Sequence, residues 1–290
     1  MYVNCKGYFI KVLSPLHAGT GRGYKGISLA IQREIASSLP KIEATVIKGA
    51  FREKSELDKD EIYGKSDKRS TISFNDAKLL FFSFRITGGL FCLGTCPYIL
   101  KRYFEDELYK LCFREDDKFK RRIKLVEEVI DALDSLDLSL GKYLSLLDDN
   151  SEIKRIEEYD FKAGSLKRLE KRLVEKLDEY FKGYKEIVDI EKIVVLSNRD
   201  FKELVDLSTE KIYRIKIDDK KMTTEDGSLF SQEFLPEESI LYGVIFEKAN
   251  QSNKEIMKEF FNKLERSCFI GSGRAIGKGK IKIIGDKYDK

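Results

Sequence analysis

Four glycines in nine residues, at positions 271, 273, 277 and 279, stand between a helical pattern and an apolar strand pattern in Phe269–Lys280 (FIGSGRAIGKGK). Glycine enters backbone conformations closed to other residues and lets a second backbone come close, so a stretch this rich in it has to be laid against something. A Walker-type phosphate loop puts Gly-Lys-Ser/Thr ahead of a helix. Here Gly277-Lys278-Gly279 precede a strand, so mononucleotide binding of that kind fails on order. What fits is a flexible, donor-rich loop along which an RNA backbone runs close to main-chain N–H groups, helped by Arg274 and Lys278. The plainer alternative is a tight turn.

A second glycine-rich stretch lies near the other end, Leu16–Gly26 (LHAGTGRGYKG). Charge follows the same division. Residues 1–54 hold nine Lys or Arg against three Asp or Glu, residues 266–290 hold seven against two, and the whole chain is only +4, so the centre is acidic. Basic, glycine-rich ends around an acidic middle point to a polyanion site assembled from both ends of the chain.

Several chemistries drop out. His17 is the only histidine, which excludes a ribonuclease with paired imidazoles and a His-rich metal cluster; a lone His beside a glycine loop more often packs or bonds to backbone. The five cysteines (Cys5, Cys92, Cys96, Cys112, Cys268) are odd in number and form no C-x-x-C, against a disulfide framework or a zinc site. The first residues lack the apolar stretch of a signal peptide, and no run approaches the roughly 20 apolar residues of a membrane span. The expectation is a cytoplasmic protein with no membrane partner.

The pattern along the chain predicts a strand at Gly7–Leu13, a helix at Thr45–Glu56 with Lys48, Arg52 and Lys54 turned outward, and a strand at Ala77–Ile86. A turn-rich Gly88–Pro97 then leads into a mostly helical Tyr98–Leu147, and the leucine spacing of Ser165–Lys182 makes the clearest helix. Further strands are expected at Lys192–Leu196, Ile212–Ile217, Ser239–Phe246 and Gly279–Ile284, with a helical turn at Asp200–Leu204, a projecting hairpin at 218–235 and a helix at Lys254–Leu264. That order builds an α+β fold with a split βαβ, ferredoxin-like sheet, formed once or twice.

The residues also resemble a family. A strand ending in Ser14-Pro15-Leu16-His17-Ala18-Gly19, then Ile27–Glu34 with its Gln32-Arg33-Glu34, Pro40-Lys41-Ile42 and Val46–Arg52 (VIKGAFR) are similar to the repeated backbone subunit of the type III-B (Cmr) CRISPR effector complex, a RAMP-superfamily protein. The likeness continues through Ile62-Tyr63-Gly64, Ser73–Ala77, Gly89–Leu100, Leu229–Pro236 and the glycine loop at 270–280, and so covers nearly the whole chain.

The resemblance implies an RRM-like palm at 1–97 and 186–290, a β-hairpin thumb at about 218–235 and a helical insertion at 98–185. It implies copies stacked head to tail along a guide CRISPR RNA, other subunits of an effector complex as neighbours, and a target RNA positioned for interference against invading nucleic acid. Guide contacts fall on His17, Gly19, Arg33, Lys48, Arg52, Gly271, Gly273, Arg274, Gly277 and Lys278. In the family an aspartate four residues before the Gln is needed for metal-dependent cleavage of target RNA. This chain has Ser28 there. A hydroxyl is a poor ligand for a hard cation such as Mg²⁺ or Mn²⁺, which weighs against inherited cleavage unless Glu34 or Glu43 substitutes. Two readings follow: a non-catalytic RNA-binding scaffold needing no cofactor, or a metal-dependent endoribonuclease cutting guide-paired target at regular intervals.

Overall fold

The computed structural model describes all residues except 1, 56–58, 113–118, 146–154, 164–167, 216, 219–222, 225–228, 249–265 and 286–290. In chain order the first half forms β1 (Tyr2–Val12), β2 (Lys41–Ile42), α1 (Ala44–Lys54), α2 (Lys59–Tyr63), β3 (Ile72–Phe74), β4 (Ala77–Arg85), β5 (Phe91–Thr95), α3 (Pro97–Cys112), α4 (Lys120–Asp134) and β6 (Lys142–Ser145). Then come β7 (Arg155–Ile156), β8 (Tyr159–Asp160), β9 (Lys162–Ala163), α5 (Arg168–Phe181), β10 (Ile193–Leu196) and α6 (Asn198–Ser208). The chain closes with β11 (Glu210–Arg214), β12 (Ile217–Asp218), β13 (Thr223–Thr224), β14 (Phe230–Phe234), β15 (Ile240–Lys248), β16 (Arg266–Phe269) and β17 (Lys280–Gly285).

The apolar runs of β1, β4, β15 and β17 are too continuous for a sheet with one wet face, and all four strands are buried through most of their length. They lie side by side in the order β17-β1-β15-β4, every neighbouring pair antiparallel. With β1 between the third and fourth of these strands and α1 crossing from β1 towards β4, this is the expected split βαβ sheet. The sheet continues beyond β4 through β5, β10, β6 and β9, with β10 parallel to β5. Ile47 and Ala50 of α1 are buried, and Lys48 and Arg52 are half-buried.

Several expectations need correction. The turn-rich Gly88–Pro97 contains β5, because Gly94 is there to make room rather than to turn: a Cβ on it would lie 2.4 Å from the Phe84 ring of the paired strand. Within the expected mostly helical stretch Tyr98–Leu147, Lys142–Ser145 form β6, which joins the sheet beside β10. The segment 98–185 therefore holds α3, α4 and α5 together with β6 to β9, and its core is continuous with that of the sheet. Asp200–Leu204 belongs to an 11-residue helix whose N-cap, Ser197, accepts the Asp200 N–H.

The hairpin starts earlier than 218. Its arms are β11 and β14, paired from Glu210↔Phe234 to Arg214↔Phe230, with β12 and β13 paired beyond them. Asp226-Gly227 and the helix expected at Lys254–Leu264 lie outside the described residues.

Candidate nucleic-acid interface

Three segments far apart in sequence are sewn together by backbone hydrogen bonds. Leu16 and Leu235 exchange N–H···O bonds of 2.9 and 2.8 Å, and Leu29 N–H donates to Ser231 O (2.9 Å) while Glu233 N–H donates to Leu29 O (2.9 Å). These tie the first glycine-rich loop to β14 of the hairpin. From the other end, Ser272 N–H donates to His17 O (3.1 Å) and Gly279 N–H to Pro15 O (2.9 Å). The approach is close enough to demand glycine: a Cβ at Gly271, where φ is +79°, would stand 2.2 Å from His17 O, and one at Gly279 would stand 2.1 Å from Ile270 O.

The glycine loop is thus a folded turn rather than a flexible strap. The N–H groups of Ile270, Ser272, Ile276, Gly277, Lys278 and Gly279 are all taken by carbonyls of the chain. Those of Gly273, Arg274 and Ala275 find no acceptor among the described residues. Residues 274–277 form its exposed crest.

His17 and the Arg33 side chain are largely buried inside the fold. His17 is 6% exposed, and its Nδ1 pairs with Glu233 O at 2.7 Å. Gly19 lies against that ring. Arg33 reaches Glu233 Oε1 (2.5 Å), Asp206 Oδ1 (3.2 Å) and Ser38 O (3.0 Å). Its sequence neighbours act likewise. Gln32 accepts from Glu43 N–H at 2.7 Å and donates to Gly19 O, and Glu34 pairs with Arg102 of α3 at 2.6 Å. The Gln-Arg-Glu run is a fastener that fixes the loop to α1, α3, α6 and the hairpin.

Ser28 faces the hairpin. Its N–H donates to Ser231 Oγ (2.9 Å) and its hydroxyl accepts Ser231 N–H (3.2 Å), a reciprocal clasp. The donors are two neutral hydroxyls, and among the described residues no three His, Cys, Asp or Glu side chains are grouped to hold a metal. This set does not fit a hard divalent cation, which wants carboxylates. Glu34 is committed to Arg102 and Ser37, and Glu43 lies 3.6 Å from Lys41 Nζ.

Much of the basic charge of the ends is neutralised internally. Lys11 pairs with Glu238, Lys25 with Asp206, Lys41 with Asp76, Arg274 with Glu53 and Lys278, at 3.8 Å, with Glu210. Arg52 is held by Asp60 (2.6 Å) and by the carbonyls of Lys59 and Gly64. Lys48, one turn earlier on α1, has no carboxylate among the described residues. Burial, followed by the charges of Lys248 and Arg52, holds its ammonium below the usual lysine range. The Arg274–Glu53 contact (2.6 Å) brings the crest of the glycine loop to α1, so Lys48, Arg52 and Arg274 share one region. Sequence spacing gave no sign of Ser231, Glu233, Asp206 or Lys248, whose partners lie tens to hundreds of residues away.

The family model for the RAMP superfamily matches residues 9–282. The chain is 26% identical, over 96% of its length and 95% of the relative's, to the CRISPR system Cmr endoribonuclease Cmr4 of Pyrococcus furiosus. It resembles a chain in the cryo-EM structure of the type III-B Cmr-beta bound to cognate target RNA, with a TM-score of 0.75, 21% identity and 98% of each chain covered. The crystal structure of oligomeric Cmr4 from Pyrococcus furiosus matches at a TM-score of 0.70 and 20% identity, again over 98% of each. At such identities the structural likeness establishes the fold.

Proposed function

The chain belongs to the RAMP superfamily, and on that premise we propose that it is a backbone subunit of a type III-B CRISPR effector that binds guide RNA and lines up along it head to tail. Guide and target RNA, further copies of itself and other subunits are its partners, and the cytoplasm is its place of work. One observation carries this most: the first glycine-rich loop, the hairpin and the C-terminal glycine loop are joined into one ridge beside α1. Lys48, Arg274 and Lys278, with the open N–H of Gly273, make the backbone contacts, because long cations and open main-chain groups recognise phosphates without reading sequence, while Gly277, whose N–H is taken by Arg274 O, shapes the crest. His17, Gly19, Arg33, Gly271 and the anchored Arg52 serve the same interface by shaping it.

The Ser28 clasp favours a scaffold that positions target RNA without cutting it. The second reading, cleavage, draws on the name of the Pyrococcus relative, an endoribonuclease. Mg²⁺ or Mn²⁺ belongs to that reading alone. Reconstitution with guide RNAs of increasing length and labelled target, with and without divalent metal, separates the two. The scaffold predicts mass rising in steps with guide length and intact target. Ser28→Asp keeps an acceptor for Ser231 N–H and adds the missing charge, so regularly spaced, metal-dependent products are expected from the variant. Regular cutting by the unmodified chain overturns the scaffold reading, and a mass independent of guide length overturns polymerisation.

A further inference from the structure

Beyond α1 the chain makes a turn that none of the site residues above includes. Gly64–Ser70 (GKSDKRS) leaves α2 and returns to β3, closed by reciprocal bonds between Lys65 and Lys68 (2.9 and 3.2 Å). Each end of the turn is held by a cation from another element: Arg52 of α1 donates to Gly64 O (2.6 Å), and Lys248, the last residue of β15, donates to Ser70 O (3.1 Å). Thr71, just after it, is fixed to Glu61 O through its hydroxyl (2.8 Å). The turn is therefore firmly placed, and it presents Lys65, Lys68 and Arg69 to solvent. Lys65 has Asp67 at 3.6 Å, whereas Lys68 and Arg69 have no carboxylate among the described residues.

A solvated basic turn is common by itself. Its setting distinguishes this one. Near the first loop Lys25, Arg33 and Lys41 are each matched by a carboxylate within the fold, whereas Arg22 has none among the described residues. Around this turn the match is incomplete: Arg52 has Asp60 and Lys65 has Asp67, but half-buried Lys48 stands unmatched beside Lys248, and Lys68 and Arg69 add to the same sign. A partly desolvated cation among other cations is stabilised by an anion supplied from outside. The nearest proposed ligand surface is also in reach, since Glu53, the neighbour of Arg52, carries Arg274 of the glycine loop.

We propose that the Gly64–Ser70 turn, through Lys68 and Arg69 and together with Lys248, is a second phosphate-contact surface that extends the RNA track from the glycine loop across α1. The inference rests on the RNA-binding reading above and adds to it where the strand goes. An acidic protein surface is the competing occupant.

The test is a titration of fluorescently labelled single-stranded guide RNA with the full chain at several salt concentrations, for the unmodified protein, for Lys68→Ala combined with Arg69→Ala, and for Lys248→Ala. Each single-strand phosphate contact contributes about 0.7 to the slope of log K against log salt, so removal of two should flatten it by about 1.4. Lys68 and Arg69 are exposed, and their replacement leaves the fold intact; Lys248→Ala should weaken binding in the same direction. If the double variant keeps the original slope while Lys48→Ala loses part of it, the turn is not on the track and the RNA-binding reading stands. If slope is kept but stepwise assembly is lost, the turn meets protein and the proposal is wrong. If the unmodified chain shows no salt-dependent binding at all, both fall together.

Discussion

Removal of the Arg33 guanidinium should be among the most damaging single changes in this chain. Arg33 and Glu233 have side chains 9% and 4% exposed, and they meet at 2.5 Å. With Arg33→Met, Glu233 keeps the Ile31 N–H (3.1 Å) as a donor but loses its cation. A buried pair broken on one side costs about 3–5 kcal/mol, mostly through the charge left behind. For a chain of this size that corresponds to a fall of roughly 5–8 °C in melting temperature. Adding Glu233→Gln to Arg33→Met removes the stranded charge yet leaves an acceptor for Ile31, so the double variant should melt above Arg33→Met. Circular dichroism melts and urea titrations of the four proteins give the coupling energy. A loss below about 1 kcal/mol for Arg33→Met, or strictly additive losses in the double variant, would refute the buried fastener.

Two further outcomes follow from burial and backbone geometry. Burial pushes the Cys92 and Cys96 thiols up to about 12, leaving them protonated and enclosed at pH 8, while Cys112 is exposed; iodoacetamide on the native chain should modify Cys112 well before either, and mass spectrometry showing equal rates would contradict the packing of β5. Gly271→Ala and Gly277→Ala both put a side chain at positive φ, but only the first drives a Cβ against backbone, at 2.2 Å from His17 O, with open space around the second. Urea unfolding should show about 1–2 kcal/mol lost at Gly277 and clearly more at Gly271, and equal losses would mean that the glycine loop is not seated on the segment that carries His17.

Periodicity made β1, α1, β4, β15 and β17 legible, since a long run of apolar residues needs little context to declare itself. Gly94 misled because a glycine inside a strand and a glycine in a turn look alike until the facing residue, Phe84, is known. The hairpin was displaced for a related reason: Asp218, Asp219 and Asp226-Gly227 drew the turn and its arms towards one another, whereas pairing begins at Glu210. At the interface, the convergence of the two glycine-rich ends was readable from composition. The fate of their charges was not. Arg33 in sequence is one more cation near a glycine loop, and only the partnership with Glu233, two hundred residues on, makes it structural.

The place of β1 in the sheet has a consequence for how the protein is made. Tyr2–Val12 pairs with Ile240–Lys248 on one side and Lys280–Gly285 on the other. At about 5–20 residues per second, a ribosome that has delivered this first strand works on for roughly 10 seconds to a minute before either neighbour emerges. Through that interval GYFIKV is an apolar strand with both edges open, the kind of segment that recruits other nascent chains. The ridge carrying Pro15 and His17 cannot take shape until the glycine loop arrives to cover it. The ridge is therefore complete only once β15, β17 and the glycine loop have been made, and a truncated product lacking them leaves both edges of β1 open.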